Sequence, residues 1–582
     1  VRARLARLAA EQGRPLGDLD AEARTALAEM VAVQSRPVLD GLDRLARFAV
    51  RAYEIEADTA ALDELRSLNE GHALVFLPSH KSYLDPFILR GALSRAGLPV
   101  NHVLGGINVS FWPMGPILRR SGVVFIRRSI KDDAVYKLVL RAYLGHLVER
   151  RYNLEWYLEG GRSRTGKLRP PRLGVLAYLV DAFRESDVDD VFLVPVSIAY
   201  DQLQEVAAMA AEEHGAEKKA ESFTWMLRYL RSQGQRLGTA YINVGEPLPL
   251  RPIRGSTGGL TVEKLAFEVL HRINRVTPVT PTSLVTLALL GIGDRALTPA
   301  EIRSVLDPLL DYVAVRKLPQ RGMVDLTASG GLLRVLDALV STKVVTRFTG
   351  GVEPVYGIGE NQHLVAAYSR NRIIHFFVTR AITELVVLHL VRRPVGRPGE
   401  GDLAERAWAE ALRLRDLLKF EFFFAAKAEF AEEIRAELAI LDPNWERTAA
   451  DPAAIAAGLA ELPLLLGHRV LGSFLEAYMV VADRLAAHPP GPIDEASFLD
   501  ECIGVGRQYR LQQRIHSTES ISKELFRSAL ALAGGRGLLA EGSDPDARAA
   551  FAAELSEVTD RIDSLRRLAL AGLERTTAEE DP

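Results

Sequence analysis

The chain has 582 residues, 48% of them hydrophobic and 25% charged, with a formal net charge of −3 at pH 7. That is enough apolar material for a large core in three or four folding units at roughly 150 residues each, or in two larger ones. The balanced charge argues against a general polyanion binder, nucleic acid included, so any positive surface must be local. The single cysteine, Cys502, rules out an intrachain disulfide or a thiolate metal cluster and points to a reducing, cytosolic setting.

In chain order, the first thirty residues are charged throughout and contain no signal-peptide core. Residues 1–70 as a whole show apolar spacings of three and four, which predict a helical N-terminal segment without strands. From 71 to 254 the pattern changes. Apolar or β-branched runs stand at ALVFLP (73–78), GVVFIRR (122–128), LEWYLEG (154–160), VFLVPVSI (191–198) and TAYINVG (239–245). Helical segments such as YKLVLRAYLGHLVERR (136–151) separate several of them. Runs that are continuous in polarity and alternate with helices predict a mostly parallel sheet covered on both faces, an α/β core.

Residues 255–582 read as a large all-helical region, with a Thr-Pro-Ala-Glu helix start at 298–301. Two segments there are greasy for a soluble helix, 373–391 and LLKFEFFFAAKAEF (417–430). Each reads as buried core or as an amphipathic helix lying in a lipid headgroup layer. The first is the longest candidate for a membrane span, but His375, Arg380, Glu384 and His389 interrupt it. The protein is therefore expected to be soluble or to lie on a membrane rather than cross one.

Three clusters carry chemistry. In PSHKSYLDPF (78–87), a histidine and a lysine follow the end of a strand, the edge at which open α/β sheets bind ligands. Asp85 has a simpler explanation as a helix cap, because Asp85-Pro86 and the Ser82-to-Asp85 spacing match N-terminal capping patterns. Capping does not explain His80. A carboxylate nearby can hold one imidazole nitrogen as N–H and leave the other free to take a proton. The second cluster brackets the 122–128 strand with Arg119, Arg120, Arg127, Arg128 and Lys131. Arg119 and Arg120 read as solvated surface. Arg127 and Arg128 point in opposite directions, so one of them faces a pocket, where a guanidinium suits phosphate.

The third cluster, YLEGGRSRTGKLRPPRLG (157–174), contains the spacing G-x-x-x-x-G-K but is not a P-loop. Leu168 stands where Ser or Thr must ligate magnesium, and Pro170-Pro171 forbid the helix that should follow. What remains is an anion site built from backbone N–H groups at Gly160 and Gly161 with Arg162, Ser163, Arg164 and Lys167 close by. A base, an orienting carboxylate and two arginine sets, with no metal constellation and no G-x-S-x-G nucleophile, suit direct acyl transfer to the hydroxyl of a phosphate-bearing acceptor.

The order of these motifs resembles the bacterial membrane-associated glycerol-3-phosphate 1-O-acyltransferases. SHKSYLD is similar to their H-x4-D block, GINVSFWPMGPILRRSGVVFIRR to their second, YLEGGRSRTGK to their third and FLVPVSIAYDQLQE to their fourth. YINVGEPLPL (241–250) and YSRNRIIHFF (368–377) also resemble the family, so the likeness runs from about residue 70 into the helical half. The resemblance implies an acyltransferase catalytic domain over 71–254 and a helical, membrane-associating region over 255–582. It implies His80 as base with Asp85 as partner, and a glycerol-phosphate site of Arg128, Glu159, Gly160, Arg162, Ser163 and Arg164, shaped by Pro195. It further implies acyl-CoA or acyl-carrier protein as co-substrate, no other cofactor or metal, and peripheral attachment to phospholipid at the cytoplasmic face of the membrane. The alternatives are acylation of dihydroxyacetone phosphate or lysophosphatidate, or a silent scaffold that binds anionic lipid.

Overall fold

The computed structural model describes residues 1–107, 114–127, 130, 133–203, 205–207, 209, 236–255, 261–293, 295–392, 403–445, 452–489 and 492–580. The chain divides into two compact units. One comprises Val1–Ser163, Leu168–Leu203 and Ala220–Pro278, and the other Arg164–Lys167, Gln204–Lys219 and Val279–Pro582.

The first unit is built on an eight-stranded sheet. Its strands are β1 (Tyr53–Ala57), β2 (Ala73–Pro78), β3 (His102–Gly106), β4 (Val123–Ile126), β5 (Leu154–Glu155), β6 (Val191–Tyr200), β7 (Gly238–Val244) and β8 (Leu248–Pro249). They lie in the order β1-β7-β6-β2-β5-β3-β4, with β8 beside β6. β2 is parallel to both β5 and β6, β3 is parallel to β4 and β5, and only the β6–β7 and β6–β8 pairs are antiparallel. The α/β reading therefore holds. β2 has every residue buried, as its unbroken apolar run requires in a strand covered on both faces.

Three strands of this sheet escaped the sequence reading, β1, β3 and the two-residue β8. YEIEA forms β1 inside the stretch expected to be wholly helical, pairing in parallel with β7 at the sheet edge. Its burial alternates, so the outward Glu54 and Glu56 hid the signal. HVLGG forms β3, where two glycines weaken strand propensity. The run at 154–160 makes only two residues of ladder, because beyond Glu155 the chain turns into the glycine loop.

Among the described residues the second unit is helical apart from a hairpin, β9 (Val345–Phe348) with β10 (Val355–Ile358), which corrects the expectation of an all-helical region. The Gly467–Ala487 helix is buried along most of its length and packs against the Val378–Arg392 and Pro545–Glu580 helices. The Thr-Pro-Ala-Glu start forms a capping box, with Thr298 N donating to Glu301 Oε2 at 2.8 Å and Glu301 N to Thr298 Oγ1 at 3.1 Å. Both greasy segments contribute to this unit's core. Ile373, Ile374, Phe377, Ile382 and Leu385 are fully buried in the first, as are Leu417, Leu418 and Phe430 in the second, while Phe420 is exposed. Among the described residues, no helix is long and apolar enough to cross a membrane.

Candidate active site

β2 ends at Pro78, and Ser79 extends its pairing by donating N–H to the carbonyl of Val196 at 2.9 Å. The chain then turns sharply and re-enters a helix at Asp85. Asp85 is the first helical residue but caps nothing ahead of it. Its carboxylate folds backward, where Oδ2 accepts from Lys81 N at 2.6 Å and Ser82 N at 2.8 Å and lies 3.0 Å from His80 Nδ1. Oδ1 accepts from the Tyr200 hydroxyl. Asp85 is therefore not the N-cap before Pro86, but the Ser82-to-Asp85 spacing does supply one half of a capping box, Ser82 N donating to the Asp85 carboxylate while Ser82 Oγ accepts from Leu84 N at 3.1 Å. Because Oδ2 already accepts from two backbone N–H groups, the Nδ1 facing it serves as the donor and Nε2 is left as acceptor.

The imidazole is fixed from other sides too. Its ring stacks on Tyr157 with centroids 4.0 Å apart. Its side chain keeps 20% exposure, so the ring edge is reachable from solvent while its partner carboxylate is not. The main chain of His80 is clasped by the glycine loop. His80 N donates to Glu159 Oε1 at 2.8 Å, and Ser163 N donates to the His80 carbonyl at 2.8 Å. Glu159 Oε2 accepts from Arg169 N at 2.9 Å. Burial pushes the Glu159 carboxyl above its usual range, opposed by the Lys81 ammonium and by these N–H groups. Behind Tyr157, burial raises Glu155 to about 7, opposed by hydrogen bonds from Asn101 at 2.9 Å and from the Tyr157 hydroxyl at 3.4 Å.

The expected site residues fall into three groups. His80, Asp85, Glu159, Gly160 and Ser163 come together at the rim of β2, and Arg162 joins them by donating to the Tyr83 hydroxyl at 2.7 Å with its guanidinium over the Tyr83 ring at 3.6 Å. Pro195 is a buried backbone element on β6, in register with Leu77, and its carbonyl accepts from Gly245 N at 2.8 Å. Arg128 and Lys131 lie outside the described residues. Arg164 and Lys167 group with the helical unit.

Several expectations need correction. Arg127, the member of its pair not assigned to the site, pairs with Glu29 at 2.8 Å and Asp133 at 2.9 Å over the Tyr136 ring. Arg119 is half-buried and donates to the Ala28 carbonyl at 2.7 Å, while Arg120 is exposed as expected. The Gly160 N–H closes a turn onto the Tyr157 carbonyl at 3.0 Å, so it is not an open anion donor. Gly160 has φ +65, and a Cβ there would come within 2.6 Å of Arg172 Cγ. The Lys167 ammonium is neutralised inside the helical unit by Glu421, whose other oxygen accepts from Tyr478 at 3.1 Å, and it lies 4.2 Å from the Phe474 ring centroid. The sequence reading passed over Tyr200 and Tyr157 as functional residues. Tyr157 stood inside the quoted third motif, and only its adjacency to the glycines marked it.

A family profile described as "Acyltransferase" matches residues 61–199, and one described as "Glycerol-3-phosphate acyltransferase C-terminal region" matches residues 209–542. The proteins named "Putative acyltransferase plsB1" from Mycobacterium bovis and from Mycobacterium tuberculosis strain H37Rv are each 43% identical to the chain over 581 residues, 97% of this chain and 92% of theirs. Among solved structures, the 1-acyl-sn-glycerophosphate (LPA) acyltransferase PlsC from Thermotoga maritima aligns over 40% of this chain and 77% of its own, at 15% identity and a TM-score of 0.25. With profile matches on both sides of residue 200 and near full-length relatives, the chain belongs to the glycerol-3-phosphate acyltransferase family and is an acyltransferase.

Proposed function

We propose that the chain transfers a fatty acyl group from a thioester, acyl-CoA or acyl-carrier protein, to the sn-1 hydroxyl of glycerol 3-phosphate. The product is lysophosphatidate, the first intermediate of phospholipid synthesis. The observation that carries this reading is the His80 imidazole, tied through Nδ1 to buried Asp85 at 3.0 Å while its ring stays partly open to solvent.

In this reading His80 Nε2 takes the proton of the acceptor hydroxyl as its oxygen attacks the thioester carbonyl carbon. Asp85 stabilises the imidazolium that forms. The C–S bond breaks as the tetrahedral intermediate collapses, and the imidazolium returns its proton to the leaving thiolate. The acceptor phosphate docks on Arg162, joined by Arg128 and Ser163, because a guanidinium matches phosphate oxygens in pairs. Glu159 and Gly160 hold the loop, since the Glu159 oxygens already accept backbone N–H groups and Gly160 closes a turn. Pro195 shapes the strand beside β2. The protein works at the cytoplasmic face of the membrane as a peripheral enzyme, where its acyl product partitions.

The test is an assay of purified protein with labelled glycerol 3-phosphate and each donor. His80→Ala is expected to lose about 10²–10⁴-fold in turnover. Retention of wild-type turnover in that variant would sink the reading.

A further inference from the structure

We infer that Tyr200 is a positioning residue for acyl transfer, acting through Asp85 on the basicity of His80. The inference rests on the proposed base role of His80. Tyr200 is the last residue of β6, fully buried, and its hydroxyl donates to Asp85 Oδ1 while Asp85 Oδ2 faces His80 Nδ1. Hydroxyl, carboxylate and imidazole thus form one chain, with the Tyr200 ring set edge-on against Tyr53 at 5.2 Å.

A donor on Oδ1 draws negative charge away from Oδ2. That weakens the pull of Asp85 on Nδ1–H and lowers the affinity of the imidazole for a second proton. Tyr200 therefore keeps His80 unprotonated to lower pH than Asp85 alone would. The other groups acting on this chain are Tyr157 on the ring face, Glu159 at the His80 main chain with Lys81 beside it, and Glu155 with Arg90 behind Asp85. None of these donates a hydrogen bond to Oδ1 among the described contacts. A purely structural tyrosine would hold strand and helix together without touching the proton affinity of His80.

The two roles separate in the pH profile of kcat/KM. Tyr200→Phe keeps the ring and removes the donor. It is expected to move the acidic limb upward by about half a unit to one unit and to lower the plateau rate roughly 3- to 10-fold, with both KM values within about twofold of wild type. Replacing Tyr200 with 3-fluorotyrosine, a stronger donor that differs by one atom, is expected to move the limb downward. That variant decides the matter should Tyr200→Phe fail to fold. A limb that stays at the wild-type position in folded protein overturns the assignment of Tyr200 while leaving His80 as base, provided His80→Ala is inactive. Full activity of His80→Ala removes the base role and this inference together.

Discussion

Both units bury carboxylates almost completely, but they satisfy them differently. In the helical unit each carboxylate has a permanent cation beside it, with backbone N–H groups added at Glu384 and Glu476. Glu384 pairs with Arg380 at 2.9 Å, Glu410 with Arg561 at 2.6 Å, Glu476 with Arg566 at 3.1 Å, and Glu421 with Lys167. At the rim of the sheet, the hydrogen bonds to Asp85 and Glu159 come from backbone N–H groups and a phenol, with the His80 imidazole beside Asp85. A guanidinium keeps its charge across the neutral range, whereas an imidazole is a group built to gain or lose a proton. Burial alone therefore does not mark a site. At the sheet rim the added feature is an imidazole whose ring edge reaches solvent.

The comparison can be broken at its closed end first. Lys167→Met leaves Glu421 buried without its cation, and the loss of a buried partner costs about 3–5 kcal/mol. Denaturant unfolding should show a loss of that size, with most of it restored in the Lys167→Met/Glu421→Gln double variant. An unchanged unfolding midpoint in the single variant would show that the pair stabilises nothing.

The second test sharpens the open end. Glu155, raised by burial from 4.5 to about 7, binds its proton more tightly folded than unfolded. Its contribution to stability is complete below pH 4.5 and is lost as pH rises through 7, a fall of about 3 kcal/mol. Glu155→Gln should flatten that part of the stability curve between pH 4.5 and 7. A slope equal to wild type would place the titration elsewhere.

The smallest effect is expected at Gly160. Gly160→Ala forces a side chain into left-handed backbone and against Arg172, at a cost of about 1–3 kcal/mol. Thermal melting should drop accordingly, and the KM for the acceptor should rise more than that for the acyl donor. Equal changes in both would detach the loop from acceptor binding.

What could be read from the sequence was local. The strand ending at Pro78, the His80-to-Asp85 spacing and the Thr298–Glu301 cap are each set by neighbours a few residues apart, and each was legible. The helix-cap explanation of Asp85 was equally local, and its Ser82-to-Asp85 bond is present, but the same carboxylate also accepts from Lys81 N and faces His80. Partners distant in sequence left no mark. Tyr200 meets Asp85 across 115 positions and Lys167 meets Glu421 across 254, and no periodicity in either segment announces the other. The sequence offered no way to see that Arg127 is neutralised, because its partner Glu29 lies far upstream.

The double clasp on the main chain of His80 has a mechanical consequence. Since its amide hydrogen goes to Glu159 and its carbonyl receives that of Ser163, the strand end and the glycine loop cannot drift apart without rupturing both links. A substrate that tugs on the loop must tug on the histidine as well. In deuterium exchange the amides of His80 and Ser163 should open together as one cooperative latch, and alignment of the reacting groups would then be inherited from the resting fold rather than assembled at each turnover.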